Sequence, residues 1–119
     1  MADNFTYYKG YEGEPEIVLS MEGMDTLHIW EGYFDDIYGA PSLDGKGWTG
    51  FTRDYQQLEG IFSNEEEMCM IEPTEYLADL VQYRGKAFDY EDTSAVFNLM
   101  LFVFERAIEK GIRVKAGRI

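Results

Sequence analysis

The stretch Thr93–Lys110, TSAVFNLMLFVFERAIEK, limits what this chain can fold into more than any other. On a wheel of about 100° per residue, Ser94, Asn98, Glu105 and Glu109 fall in one narrow stripe. Val96, Phe97, Met100, Leu101, Val103, Phe104, Ala107 and Ile108 fill the broad opposite face, and Leu99 and Phe102 extend it at the flanks. A helix of this composition meets water on one side only. A sheet or other helices must cover the rest. The stretch is therefore the core of a domain and has no functional signature of its own.

Its ends are marked. Asp89 to Asp92 place acids where the helix dipole favours them, with Asp92 as the expected N-cap. Arg106 and Lys110 sit in the last turns, and Gly111 suits a left-handed C-terminal cap. The residues after it, 112–116, alternate apolar and basic, which predicts a half-buried strand. Upstream, 73–84 predicts a second helix. Pro73 suits its first turn, Tyr76, Leu77, Leu80, Val81 and Tyr83 form one apolar face, and Gly85 ends it.

The first half of the chain is less regular. Residues 1–15 read as a loop or short edge segment. Strands are predicted at 16–21 and 26–30, joined by a turn at Glu22-Gly23. The segment after Trp30 is rich in Gly, Asp and aromatics and predicts turns or short edge strands with an exposed aromatic surface. Asp54 and Gln57 have capping-box spacing, which predicts a short helix over 55–59. Asn64 has the same spacing to Glu67, but 68–71 fits a strand equally well. The expected fold class is α+β, one domain over 1–119, with an antiparallel sheet packed against two main helices at about 73–84 and 92–110.

A chain of 119 residues, 45% hydrophobic and 16% aromatic, is large and apolar enough for one well-filled core. No apolar run approaches the roughly 20 residues that span a bilayer. The first residues lack the basic-then-apolar pattern of a secretory signal, and the single Cys69 forms no internal disulfide. These features place the chain in the cytosol. The net charge is −13, and residues 93–119 are the only mildly basic part. Direct binding to nucleic acid or to an anionic membrane is disfavoured, and a basic protein partner is favoured. A purely solubilising acidic surface is the plain alternative.

Catalytic signatures are sparse. His28 is the only histidine, and neither Ser20 nor Cys69 lies in a nucleophile motif. Asp35, Asp36 and Asp44-Gly45 do not match a calcium loop, and Gly45-Lys46-Gly47 is too short to cradle a phosphate. The reading is therefore of a non-enzyme with no cofactor and no metal. The informative feature is the mixing of acids with aromatics over 30–38 and 48–55. Tyr and Trp anchor interfaces, and flanking carboxylates steer Lys and Arg. Phe34, Ile37, Trp48 and Phe51 read as core. The candidate partner-binding residues are Glu31, Tyr33, Asp35, Asp36, Tyr38, Asp54, Tyr55 and Glu59.

GWTGFTRDYQQLEGIF (47–62), IEPTEYLADLVQYR (71–84), the long apolar helix and the basic final strand together resemble a group of bacterial immunity proteins. These are the partners of contact-dependent growth inhibition toxins, and the resemblance covers 47–119. It implies a cytosolic inhibitor that binds the toxin's C-terminal domain. Such toxins are frequently basic nucleases that cut transfer RNA. The family brings no fixed catalytic residues. Two other readings stand beside it: an acidic, nucleic-acid-mimicking inhibitor from another defence system, and a small enzyme using carboxylates as acid and base.

Overall fold

The computed structural model describes residues 2–41, 48–63 and 68–119. Expectations for Asp44, Gly45, Lys46, Gly47, Asn64 and Glu65 to Glu67 lie outside the described residues. The fold is α+β. Five strands, β1 (Asp3–Tyr7), β2 (Glu16–Ser20), β3 (Thr26–Trp30), β4 (Met68–Ile71) and β5 (Val114–Arg118), form one sheet in the order β1-β3-β2-β5-β4. Four α-helices accompany it among the described residues: α1 (Glu31–Tyr38), α2 (Gly50–Gln57), α3 (Pro73–Leu80) and α4 (Thr93–Lys110).

Two features of the expected architecture are corrected. The sheet is mixed, because β1 runs parallel to β3 while every other pairing is antiparallel. Among the described residues the helices number four, not two. The segment after Trp30, read as turns, folds as α1. Its apolar residues Tyr33, Phe34, Ile37 and Tyr38 recur at helical spacing and are all buried. The helix expected at 55–59 starts earlier, at Gly50, so Asp54 lies inside α2 and not at its N-cap. The expected helix 73–84 ends as α3 and continues as a 3-10 turn at Val81–Tyr83. The ambiguous 68–71 is a strand.

Side-chain alternation sets the sheet's inner face. Ile17, Leu19, Leu27, Ile29, Val114 and Ala116 are buried in the same cluster as the apolar residues of the helices. α4 contributes Val96, Phe97, Met100, Leu101, Val103, Phe104 and Ala107 to this cluster and packs mainly on α3 and α1. Each fully buried side chain of this kind stabilises the fold by about 1.5–3 kcal/mol. Ile108 and Phe102 depart from the expected apolar face, being 39% and 54% exposed. No helix among the described residues is long and apolar enough to cross a membrane.

Two buried or half-buried polar contacts fasten the outer elements. The Asp36 carboxylate in α1 accepts from the backbone N–H groups of Asp89 and Tyr90, each at 3.0 Å, and from Thr93 Oγ1 at 2.6 Å. Asp36 therefore does the work expected of Asp92, whose side chain makes no capping bond. Burial opposes its charge, but these three donors and nearby Lys86 outweigh burial and hold the carboxyl below the usual range. On β3, His28 bridges two neighbouring strands. Its Nδ1 lies 2.5 Å from Glu16 Oε1 on β2, and its Nε2 lies 2.9 Å from Asp3 Oδ1 on β1. Phe5 of β1 stacks on the imidazole. Burial pulls the His28 pKa down, but the two carboxylates prevail and raise it.

Asp36→Ala is expected to cost about 3 kcal/mol at pH 7, since it strands several donors of a charge-assisted group. A folded pKa held below the unfolded value gives stability that is present above the unfolded pKa, near 3.8, and is lost as pH falls through the lower folded pKa. Urea denaturation of wild type and variant at pH 7 and in acid checks both expectations: the gap between them closes in acid. His28 behaves oppositely. Its raised pKa gives stability that is complete below 6.5 and is lost as pH rises through the folded value. Titration of its ring protons by NMR should place the folded midpoint above 6.5.

Candidate functional site

The eight sequence-predicted binding residues divide by burial. Asp36, Tyr33, Tyr38 and Asp54 are inside the protein, at 8%, 5%, 0% and 0% exposure. They are not surface contacts. Asp36 closes the start of α4. Tyr38 packs against Phe34, Phe51 and Tyr83, and burial pushes its phenol well above the ordinary range. Asp54 sits against Arg53 and Tyr76. Arg53 donates from Nε at 3.1 Å and Nη2 at 2.9 Å to Asp54 Oδ1, and the Tyr76 hydroxyl donates to Oδ2 at 2.7 Å. The backbone at Gly60 closes over this carboxylate, where an added Cβ would lie 2.5 Å from Asp54 Oδ2. Such proximity, together with a φ of +55°, requires glycine.

The other four, Glu31, Asp35, Tyr55 and Glu59, reach the surface, and the fold places Glu31, Asp35 and Tyr55 together. Glu31 and Asp35 lie one turn apart on the outer side of α1. The Tyr55 hydroxyl, from α2, donates to Asp35 Oδ1. Burial and this bond both raise the Tyr55 pKa, so the phenol stays protonated at neutral pH. Arg118 of β5 clamps Glu31 with Nε at 3.1 Å from Oε1 and Nη2 at 3.0 Å from Oε2. Glu31, Tyr55, Leu58, Phe62 and Arg118 line an open groove of about 350 Å³. Glu59 follows Leu58 and extends one oxygen to 3.6 Å from Arg53. The groove wall is mixed: Tyr55, Leu58 and Phe62 form its apolar part and the Glu31–Arg118 ion pair its polar part.

Beside α1 stands a second aromatic assembly that sequence reasoning found only in part. Tyr11 stacks on Trp30 with centroids 3.9 Å apart, and Tyr33 and Tyr90 meet Trp30 edge-on, each at 5.2 Å. Glu14 accepts from Trp30 Nε1 at 3.3 Å, and Asp92 accepts from the Tyr33 hydroxyl at 3.4 Å. Tyr90 remains 46% exposed. Trp30 and Tyr33 were visible in the aromatic segment. Tyr11 and Tyr90 join from distant parts of the chain, and no local pattern marks them.

A third concavity, about 370 Å³, lies between α2 and the end of α3. Its wall includes Thr52, Asp79, Gln82 and Tyr83. Asp79 is 1% exposed and is held by neutral donors: the Thr52 N–H at 3.0 Å, Thr52 Oγ1 at 2.8 Å and Gln82 Nε2 at 3.2 Å. Burial lifts its carboxyl above the usual range. The Thr52 and Tyr83 hydroxyls are 2.6 Å apart, which ties α2 to the 3-10 turn. These contacts account for the polar atoms of this wall as fasteners between elements. Among the described residues, no group of three or more His, Cys, Asp or Glu side chains is placed to hold a metal ion.

Comparison with protein families, curated proteins and solved structures found no match to this chain.

Substituting Asp54 and Asp35 should separate the buried group from the surface one. Asp54→Ala leaves Arg53 and Tyr76 without their shared acceptor and is expected to cost about 3–5 kcal/mol. Asp35→Ala removes an exposed carboxylate and is expected to cost less than about 1 kcal/mol. Chemical denaturation of the two variants side by side measures the difference.

Proposed function

We propose that this chain is a cytosolic, non-enzymatic inhibitor that binds a basic protein partner, the C-terminal domain of a contact-dependent growth inhibition toxin. The observation that carries this reading is the meeting of Glu31, Asp35 and Tyr55 between α1 and α2, beside a groove lined by Tyr55, Leu58, Phe62 and the Glu31–Arg118 ion pair, on a chain of net charge −13. Exposed carboxylates beside apolar side chains suit a basic interface: the apolar part supplies affinity and the charges supply steering. The aromatic assembly of Tyr11, Trp30, Tyr33 and Tyr90 adds rigid surface next to the same helix. Side chains already locked by stacking lose little freedom on binding. The resemblance of 47–62 and 71–84 to immunity proteins of such systems supports the choice of partner. A toxin of this kind that acts on transfer RNA must carry a basic cleft for its substrate, and an acidic inhibitor competes for that cleft.

The test is binding to a toxin domain, sought in the gene beside this chain's own, by co-purification and calorimetry. Nanomolar affinity is expected, with an association rate that falls as salt rises. The double reversal Asp35→Lys with Glu59→Lys should slow association by about tenfold at low salt and leave the melting temperature within about 2 °C. Absence of binding in both experiments rejects the reading.

A further inference from the structure

α2 ends at Leu58, which takes the left-handed conformation, φ 54° and ψ 47°. It is the one non-glycine residue with positive φ among the described residues. A Cβ is disfavoured in this conformation, and glycine is its usual occupant at a helix C-terminus. The same chain shows the ordinary solution at α4, where Gly111 caps with φ 66° and ψ 33°. The Leu58 and Glu59 N–H groups bond to Asp54 O, so the cap itself needs only the backbone.

Packing does not call for leucine either. Leu58 is 69% exposed, more than any other large hydrophobic side chain among the described residues. Neither backbone geometry nor core burial accounts for a leucine at this position. What the position does provide is display. The left-handed turn holds the side chain out at the groove, beside Tyr55 and Phe62, with Glu31 and its partner Arg118 on the groove wall and Glu59 next in the chain.

We propose that Leu58 is the apolar anchor of the partner interface, inserting into an apolar pocket on a basic protein whose Lys or Arg rim meets the exposed carboxylates of Asp35 and Glu59. This rests on the inhibitor reading above and names the contact through which it works. Charge complementarity selects the occupant. A second copy of this chain, at −13, would bring like charges to the same rim. An exposed leucine beside Tyr55 and Phe62, with the Glu31–Arg118 pair on the groove wall and Glu59 next in the chain, has the form of an interface hot spot: an apolar centre inside a polar border.

The experiment uses the full chain and, as probe, the toxin domain sought in the gene beside its own. Leu58→Gly and Leu58→Asn both accept the left-handed conformation. Each should keep or raise the melting temperature by a few degrees, since backbone strain is relieved. Each should speed dissociation from the toxin domain by about tenfold or more, with little change in association. Binding then weakens with no loss of stability, which a structural leucine would not produce. Equal binding by wild type and both variants overturns the anchor while leaving the inhibitor reading intact. Failure of wild type itself to bind removes both. A lower melting temperature in both variants makes Leu58 a structural residue and overturns the proposal. A wild-type dimer that Leu58→Gly dissociates, seen by light scattering, assigns the leucine to self-association and overturns it too.

Discussion

The fold depends on covering α4. Its buried face runs from Val96 to Ala107 and includes Phe104 and Met100 with no exposed surface. One sheet face cannot enclose so broad an apolar surface. α3 and α1 pack on it directly, and α2 packs on α3. The aromatic cluster of Phe34, Phe51, Tyr76 and Phe104 then fills the space where these helices converge. Packing of this density favours one arrangement of the helices, and so fixes where their outer faces point.

The charge of the chain is used in two ways. Some carboxylates are structural. Asp36 ties α1 to the start of α4, and Asp54 ties α2 to α3 through Arg53 and Tyr76. Each is buried with donors that satisfy it, which is the condition under which a buried charge is tolerated. The exposed carboxylates Asp35 and Glu59 lack such a set of buried partners, and Glu31 is held at the surface by Arg118. Glu31 and Asp35 gather where α1 and α2 come side by side, and Glu59 follows the end of α2. The proposed function follows from this second group, and it places the partner against the α1–α2 face.

Burial separates half of the predicted binding residues from the surface. The acid and aromatic mixture over 30–59 was legible as chemistry, but its geometry was not. Reading the segment after Trp30 as turns exposed every aspartate and tyrosine in it. In a helix, the same residues are sorted by 100° steps, and Asp35 and Asp36 go to opposite environments. At Asp54 the capping-box spacing competed with a helix that starts at Gly50, and the longer helix prevailed because Phe51 had a core to enter. Leu58 carried no signal at all. Its left-handed backbone follows from where α2 stops, and sequence spacing does not encode that.

By itself the sequence determined the fold class, the span of α4, the start of α3 and the strands β2 and β3. These follow from local periodicity and from caps such as Pro73 and Gly111, which act within a few residues. It also determined the net charge of −13. Only the tertiary structure decided that β1 joins the sheet in parallel, that Asp36 and Asp54 are fasteners, and that Tyr11 and Tyr90 meet at Trp30. Those contacts pair residues far apart in the chain. Their energies arise only when packing around α4 brings the pairs within reach.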